Sequence, residues 1–522
     1  MNEAGRIWRA AGVVGGATLL SRVLGFVRDM VIAGFFGAGF ATDAFFVAFR
    51  IPNLLRRLFA EGALSMALIP VLTDTLGRGG RQDMRRLARS ALHTAAAVLV
   101  VLTALGMIAA PGLVRMLAPG FAASPEKMDL AVSLTRIMMP YVLCIGLVSV
   151  AMGILNTLGH FAAPALAPAL LNLAMIGAVL STVSWLETPV RGLAYGVAAG
   201  GLFQLALQLP FLARAGVRFW SAPEPMHPGI VRVCRLMGPA AFGAAVYQVN
   251  LLVGSLLASL LPQGSISYLY YADRLVQFPL GVFAVALATA VMPTLSRQST
   301  AADLPGLRET FCQSMGLVLF ISVPAMVGLM VTGDALVGLL FQRGAFDPAS
   351  ARLTASALVY YSTGLWASAA VRIVLATCYA LEETRAPVMA GAAAVGCNLI
   401  LGWALMGPLG FQGLALAAAV ASMVNLFLLG RTLNVRLGGL NWSAMARSAV
   451  KIAVCAAVMG MGVRLLIVQT AVPGFQSFAH RLTTVAVSVA AGVVIFVGLA
   501  WCVRCPELAM ARRLLTRNGA GT

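Results

Sequence analysis

The chain has 522 residues, of which 60% are hydrophobic and only 11% are charged, and its formal net charge is +19 at pH 7. Soluble domains carry about 25% charged residues, so this composition and its recurring apolar blocks exclude a soluble protein and predict an all-α polytopic membrane protein. In such a protein a basic surplus indicates membrane orientation first, and a nucleic-acid partner is not expected.

About fourteen membrane-spanning helices are predicted. Arg22 and Arg28 interrupt the first apolar block, so we expect this block to be retained as helix 1 and not removed as a signal peptide. Pro52 is expected to bend helix 2, and residues 111–128 have an interfacial composition. The predicted helix centres, in chain order, lie near residues 22, 48, 98, 142, 173, 202, 248, 282, 319, 364, 398, 420, 458 and 491.

The Lys and Arg residues are distributed unequally between the two sides of the membrane. Of 37 in total, we assign 7 to hydrophobic segments, 22 to cytoplasmic segments and 8, including Lys127, to outside segments. By the positive-inside rule, both termini are predicted to be cytoplasmic. The basic loops are expected to contact anionic membrane lipids.

A weak internal repeat divides the chain. IPVLT at 69–73 is echoed by MPTLS at 292–296, and Ala163-Pro164 recurs at the same offset as Ala386-Pro387. The repeat predicts two six-helix lobes, residues 1–222 and 223–440, related by a pseudo-two-fold axis along the membrane normal, as in transporters that rock two lobes around a central site. Residues 441–522 then hold helices 13 and 14 and a cytoplasmic tail.

Charged side chains lie inside the first two hydrophobic segments. An Arg at the bilayer centre costs about 2.5–3.5 kcal/mol, so each must meet water, an acid or an anionic ligand. Glu61 follows Arg57 by one helical turn and can pair with it. The second lobe adds the neighbouring couple Asp273 and Arg274. The first-lobe set comprises Arg22, Arg28, Arg50, Arg56 and Arg57 against Asp29, Asp43 and Glu61.

The surplus of positive charge predicts an electropositive chamber that binds a multiply charged anion such as a diphosphate. Guanidinium groups bind phosphate oxygens bidentately and stay charged when partly desolvated. Other interpretations stay open, because Arg56 and Arg57 can snorkel to the interface and Arg50 can pair within the bundle. Asp43 and Asp273 are expected to balance charge or to act in gating.

The residue pattern indicates no enzyme and no metal cofactor. The four histidines fall in loops or at helix ends, and the glycines form no phosphate-binding fingerprint. Without an ATPase domain, energy must come from a monovalent-cation gradient, the membrane potential or a partner.

Three alternative functions make different demands on these residues. A drug-cation pump would need unpaired acids, and a polyprenyl-pyrophosphate enzyme would need an acid-base residue beside the arginines. A scaffold of the cell-wall machinery would not transport.

Several segments resemble the MurJ (MviN) family of lipid II flippases. The similarity covers about residues 1–440, and the last two helices share only their general character. NLLRRLFAEGA is specific, because it is a long polar run within a membrane segment. The segments are SRVLGFVRD (21–29), FGAGFATDAFFVAFRIPNLLRRLFAEGALSMALIPVL (36–72), APGF (118–121), ILNTLGHFAAPALAPALLN (154–172) and YYADRLVQFPLGVFAVALATAVMPTLS (270–296).

The resemblance implies the fold of the multidrug/oligosaccharidyl-lipid/polysaccharide exporter superfamily. It also implies export of lipid II, the undecaprenyl-pyrophosphate-linked peptidoglycan precursor, across the bacterial inner membrane by alternating access. Proteins of cell-wall synthesis are expected partners. The family's cavity, substrate or gate positions match Arg22, Arg28, Arg56, Arg274, Asn53 and Ser267, and the gating or charge-balancing set is Asp43, Glu61, Asp273, Arg57 and Arg50.

The resemblance also bears on the two added helices, on position 277 and on sodium binding. In the family the two added helices form a groove for the polyprenyl tail. Gln277 stands where members often carry an acid, and Asn250 and Asn398 are the oxygens available where some members bind sodium. The alternative function is export of another lipid-linked oligosaccharide or of a drug by the same fold.

Overall fold

The protein, in a computed structural model, is built from α-helices. The structure describes residues 3–58, 64–217, 226–470 and 478–510, and no β-strand occurs within these ranges. The α-helices are α1 (Glu3–Phe36), α2 (Phe40–Leu58), α3 (Leu64–Ile108), α4 (Ala110–Leu117), α5 (Pro125–Met138), α6 (Pro140–Thr157), α7 (Ala162–Thr182), α8 (Val190–Arg214), α9 (Gly229–Ser259), α10 (Ser265–Pro279), α11 (Val285–Thr300), α12 (Leu304–Leu340), α13 (Pro348–Ser362), α14 (Leu365–Ala380), α15 (Arg385–Arg436), α16 (Trp442–Thr470) and α17 (Phe478–Cys502).

The longest helix, α15, is interrupted at a glycine. It has 52 residues, which at 1.5 Å per residue would extend for about 78 Å, more than twice the thickness of about 30 Å of a bilayer core. Gly410 has φ 59° and ψ −137°, a conformation that glycine adopts readily and other residues do not. The break therefore separates two segments of spanning length, which contain the centres predicted near 398 and 420.

The first compact unit comprises residues 1–267 and 343–346. Within it α7 packs on α8, α3 on α6 and α1 on α7. A Cβ added at Gly196 of α8 would lie 2.7 Å from the Cβ of Ala178 of α7. Small residues at such positions let membrane helices approach closely, and this close packing holds α8 against α7.

The second compact unit comprises residues 268–342 and 347–522. Its α12, α16 and α17 share an apolar cluster, in which the rings of Phe320 and Phe496 lie 5.0 Å apart. The two helices beyond the predicted repeat are thus fastened to α12 by buried side chains. The other buried members of the cluster are Ile452, Cys455, Ala456, Met459, Val463, Ala500 and Cys505.

The predicted lobes and the compact units are defined differently. The lobes are bounded by a repeat in the sequence, whereas the compact units are bounded by contacts in the structure. Helix α9 has its contacts within the first unit, whereas the repeat begins its second copy at residue 223. The domains 1–222, 223–440 and 441–522 therefore stay predictions.

The all-α membrane architecture is confirmed. Among the described residues, nine helices are long and apolar enough to cross a membrane, or ten if α13 and α14, bent by 44°, form one span. Helix α2 is less apolar, since it carries Asp43, Arg50, Arg56 and Arg57 within 19 residues, and it runs as one helix through Pro52. The total of fourteen spans stays a prediction.

Candidate functional site

Arg28 of α1 is buried in the first unit beside an acid and an amide. Arg28 is 7% exposed and Asp29 is 2% exposed. Nε and Nη2 of Arg28 donate to Oδ1 of Asp29 at 3.0 and 2.7 Å, and Nη1 donates to Oδ1 of Asn172 at 3.0 Å. Asn172 of α7 in turn donates to the carbonyl oxygen of Ser21 at 3.0 Å. Because a buried charge needs a partner, these contacts hold the guanidinium in one orientation.

Asn172 is a residue that the sequence analysis missed. It lies in a segment quoted for the family resemblance, but no role was assigned to it. An amide inside an apolar membrane helix is itself a signal, because polar groups in such helices usually face the bundle interior. Here it is 6% exposed and acts as the acceptor for Arg28.

Arg22 occupies a different face of α1. It is exposed, and the six-residue spacing from Arg28 corresponds to about 120° around the helix axis. Gly25, between them, faces Asn172, whose Nδ2 would lie 3.8 Å from an added Cβ. The first unit therefore places the buried Arg28 pair and the accessible Arg22 on separate faces of one helix.

The arginines of α2 form a second group. Nε of Arg56 donates to Oδ1 of Asn53 at 3.0 Å, a contact between residues three apart on one helix face. Two residues predicted to bind substrate are thus brought together, and Asn53 orients Arg56. Arg50 and Arg57 are half-buried. Glu61, the predicted partner of Arg57, lies outside the described residues.

Asp43, near the start of α2, is 1% exposed and accepts four hydrogen bonds. Oδ2 accepts from Nζ of Lys127 at 2.9 Å and from the N–H of Gly264 at 2.8 Å. Oδ1 accepts from the N–H of Ser267 at 3.0 Å and from its hydroxyl at 2.6 Å. An ionised carboxylate offers about four lone-pair positions, and all of them are used. The predicted gating acid thus meets Ser267, a predicted cavity or gate residue.

Lys127 is a second residue that the sequence analysis missed. It was counted only among the eight basic residues of the segments on the outer side of the membrane, yet on α5 it is 8% exposed and paired with Asp43. A lysine that follows Pro125 and Glu126 gives no local sign of burial, since its stretch is polar. Only the position of α2 beside α5 in the folded unit shows the pair.

In the second unit, α10 presents Arg274 and Asp273. Cζ of Arg274 lies 4.9 Å from the ring centroid of Tyr270, and Nη2 donates to the hydroxyl oxygen of Tyr270 at 2.8 Å. Nε2 of Gln277 lies 3.5 Å from Oδ1 of Asp273 and donates to it. An acid at position 277 would repel Asp273, so the amide changes the local electrostatics from repulsion to a weak attraction.

The predicted chamber draws on residues of both units, and its common hollow stays a prediction. Within the described residues, no group of three or more His, Cys, Asp or Glu residues could hold a metal ion. Asn398 is buried on α15, with 6% exposure, and the side chain of Asn250 lies outside the description. The arrangement offers guanidinium groups that can bind an anion. Neighbouring amide, phenol and carboxylate groups hold these guanidinium groups in place.

Known proteins match this chain over most of its length. The family model for lipid II flippase MurJ matches residues 32–483. A probable lipid II flippase MurJ of Vibrio cholerae serotype O1 is 39% identical over 438 residues, 83% of either chain. The lipid II flippase MurJ of Burkholderia cenocepacia is 36% identical over 427 residues, 81% of this chain and 83% of its own. A probable lipid II flippase MurJ of Rhizobium meliloti is 34% identical over 516 residues, 98% and 96% of the two chains.

Solved structures share the fold. A structure described as lipid II flippase MurJ in an inward closed conformation has a TM-score of 0.78 at 23% identity and covers 93% of this chain and 97% of its own. An inward-facing multidrug resistance MATE transporter of the MOP superfamily has a TM-score of 0.68 at 16% identity, with 84% and 99% covered. The predicted superfamily fold is confirmed, and the chain belongs to the MurJ family of lipid II flippases, which are membrane transporters and not enzymes.

Proposed function

We propose that the chain flips lipid II, the undecaprenyl-pyrophosphate-linked peptidoglycan precursor, from the cytoplasmic to the outer leaflet of the bacterial inner membrane. The observation that carries the proposal is the family match over residues 32–483. This range contains the Asp43 cluster as well as Arg56 and Arg274. Relatives that bear the name lipid II flippase are 36–39% identical over at least four-fifths of the chain.

The environment of each arginine suggests a division of labour in binding the pyrophosphate. Arg22 is exposed and Arg56 is half-buried, so both can approach a head group that enters from water. Arg28 is already bonded to Asp29 and Asn172, and its contact with an anion requires exchange of a partner. We assign first capture to Arg22 and Arg56 and tighter binding to Arg28, and Arg274 of the second unit stays a predicted substrate residue.

An anionic head group and a cationic site respond in opposite directions to the membrane potential. Moving one elementary charge across 100 mV is worth about 2.3 kcal/mol. An inside-negative potential therefore favours outward movement of the loaded anion, and return of the empty cationic site toward the cytoplasm. This coupling gives direction to alternating access, and a monovalent-cation gradient is the alternative source of energy.

The orientation follows from the distribution of basic residues. With 22 Lys and Arg on one side and 8 on the other, both termini face the cytoplasm. In this orientation the substrate is taken up from the cytoplasmic leaflet. Membrane lipids and proteins of cell-wall synthesis are the further partners that this orientation allows.

A transporter for drug cations or for another lipid-linked oligosaccharide is the rival. The two acids that are buried among the described residues of the first unit are bonded to cations, Asp29 to Arg28 and Asp43 to Lys127. A cation pump needs a carboxylate that its drug can reach, and these two are occupied and almost fully buried. The observation favours an anionic cargo, and the named relatives favour lipid II among anionic lipids.

Reconstituted protein tests the proposal. Liposomes containing fluorescent lipid II are assayed by chemical quenching of the label in the outer leaflet, with wild type, Arg56→Ala and the control Arg136→Ala. Arg136 is an exposed cation on α5 and matches the charge change. Charge-assisted hydrogen bonds are worth about 1.5–3 kcal/mol, so Arg56→Ala should slow transport more than tenfold while the control stays near wild type. Folded wild-type protein that leaves lipid II in place would refute the function, whereas full activity of Arg56→Ala would remove only that residue's role.

A further inference from the structure

We propose that Lys127 is a positioning residue of the transport cycle, whose ammonium holds the Asp43 carboxylate where it accepts from the backbone N–H groups of Gly264 and Ser267. The proposal rests on the proposed transport function and adds a residue to it. Neither the sequence pattern nor the family resemblance assigned Lys127 a role.

The ion pair is shielded from solvent. The side chains of Lys127 and Asp43 are 10% and 2% exposed, and Nζ lies 2.9 Å from Oδ2. Salt screens such a pair much less than it screens a surface pair. The same Oδ2 accepts the N–H of Gly264 at 2.8 Å, so one oxygen atom joins the lysine to the backbone that leads into α10.

Two aromatic rings also lie near the ammonium of Lys127. Nζ of Lys127 lies 4.6 Å from the ring centroid of Phe121 and 6.0 Å from that of Phe40, within the range of cation–π attraction. The segment that carries Phe121 is itself held in place, because the N–H of Gly120 donates to Oγ of Ser259 at 3.2 Å. A Cβ at Gly120 would overlap the Ser259 carbonyl group. These contacts therefore hold the ammonium of Lys127 in one position, next to the carboxylate of Asp43.

This geometry distinguishes positioning from substrate binding. Lys127 is 8% exposed, and its ammonium is occupied by Asp43 and two rings, so it does not present a cation to a head group. Without Lys127, Asp43 would keep its N–H and O–H donors but lose its countercharge, and because a buried carboxylate without a cation is costly, we expect its side chain to move. A displaced Asp43 no longer accepts from Gly264 and Ser267 together. The start of α10, the helix that carries Arg274, would then lose its anchor.

A cysteine reporter measures the position of this segment directly. Ile266 is 5% exposed between two residues of the cluster, and Ile266→Cys is placed in wild type, Lys127→Met, Lys127→Arg and the control Arg136→Met. A membrane-impermeant thiol reagent is added from outside, and labelling is compared with that of the chain lacking the new cysteine. We expect Lys127→Met to label at least fivefold faster and to transport at least tenfold more slowly. Lys127→Arg should restore most of both values, and Arg136→Met should match wild type.

A double-mutant cycle shows whether Lys127 acts through Asp43. In the Asp43→Asn background, Lys127→Met should change labelling and transport less than twofold, because the carboxylate that it served is gone. An undiminished effect in that background, or wild-type labelling in Lys127→Met, would overturn the proposal. Should Lys127→Met fail to accumulate, better accumulation of the double variant supports the proposal and equal failure overturns it.

The two hypotheses fail differently. Labelling of Ile266→Cys needs no substrate, so it reports on Lys127 even if the wild type moves no lipid II. Absence of lipid II transport in wild type would refute the proposed function. Normal wild-type transport with normal transport and labelling in Lys127→Met would refute the role of Lys127 alone.

Discussion

Replacing Asp29 with Asn should destabilise the first unit, because it removes the negative charge of the acid that is bonded to the buried Arg28 guanidinium. The Asp29 side chain is 3% exposed and lies 2.7 Å from Nη2 of Arg28, so solvent does not take over the lost interaction. Removing one partner of a buried pair costs about 3–5 kcal/mol. Asn keeps an oxygen that accepts one hydrogen bond, and Asn172 remains in place, so we expect a loss of about 3 kcal/mol, at the lower end of that range.

The same substitution should make the protein more responsive to a diphosphate. If the pyrophosphate of the substrate replaces Asp29 as the partner of Arg28, an added anion compensates for the missing carboxylate. A ligand at 100 times its dissociation constant stabilises the folded state by about 2.7 kcal/mol. Inorganic pyrophosphate should therefore recover most of the loss in Asp29→Asn and stabilise wild type less, because wild type must first release Asp29.

Chemical unfolding in mixed micelles, with and without pyrophosphate, measures both effects. Asp129→Asn is the matched control, because Asp129 is an exposed acid on α5 and its replacement should change stability by less than about 0.5 kcal/mol. Equal stability of Asp29→Asn and wild type would show that the ion pair of Arg28 and Asp29 does not contribute to the free energy of unfolding. Equal stabilisation of both proteins by pyrophosphate would refute an exchange of partners at Arg28.

Three further outcomes follow from single contacts in the second unit. Phe496→Ala, which leaves a cavity in the cluster around Phe320, should cost about 3–5 kcal/mol of unfolding free energy, whereas replacement of the exposed Val487 by Ala should cost far less. Tyr270→Phe removes only the hydroxyl bonded to Arg274 and should slow transport severalfold, for a hydrogen bond worth about 1 kcal/mol, without lowering stability. The backbone N–H of Ala386 lowers the pKa of Glu383 below its ordinary value of 4.5, so its stabilisation is complete above that pH and disappears as pH falls through the lowered pKa. Unfolding midpoints measured from pH 6 downward should therefore separate wild type from Glu383→Gln at pH 6 and converge in acid.

The parts of the fold that depend on local properties could be predicted from the sequence. Hydropathy predicts membrane helices because each apolar residue favours insertion into the membrane whatever its tertiary contacts. The arginines in these segments are conspicuous because each one carries an unfavourable transfer free energy of its own. The contacts that orient them are distant in sequence. Asn172 is 144 residues from Arg28, and Lys127 is 84 residues from Asp43, so nothing in either segment shows its partner. Ser267 entered through the family resemblance, and its contact with Asp43 spans 224 residues.

The pairing of Asp43 changes the charge balance on which an anionic cargo depends. By sequence, three acids oppose the five arginines of the first two hydrophobic segments. Asp43 is already neutralised by Lys127 at 2.9 Å, so only Asp29 and Glu61 remain to balance those arginines. A lysine outside these segments therefore increases the cationic surplus within them, because it engages an acid that would otherwise oppose an arginine. Removal of Lys127 should both loosen the start of α10 and return a carboxylate to compete with the pyrophosphate, which are two physical reasons to expect slower transport from one substitution.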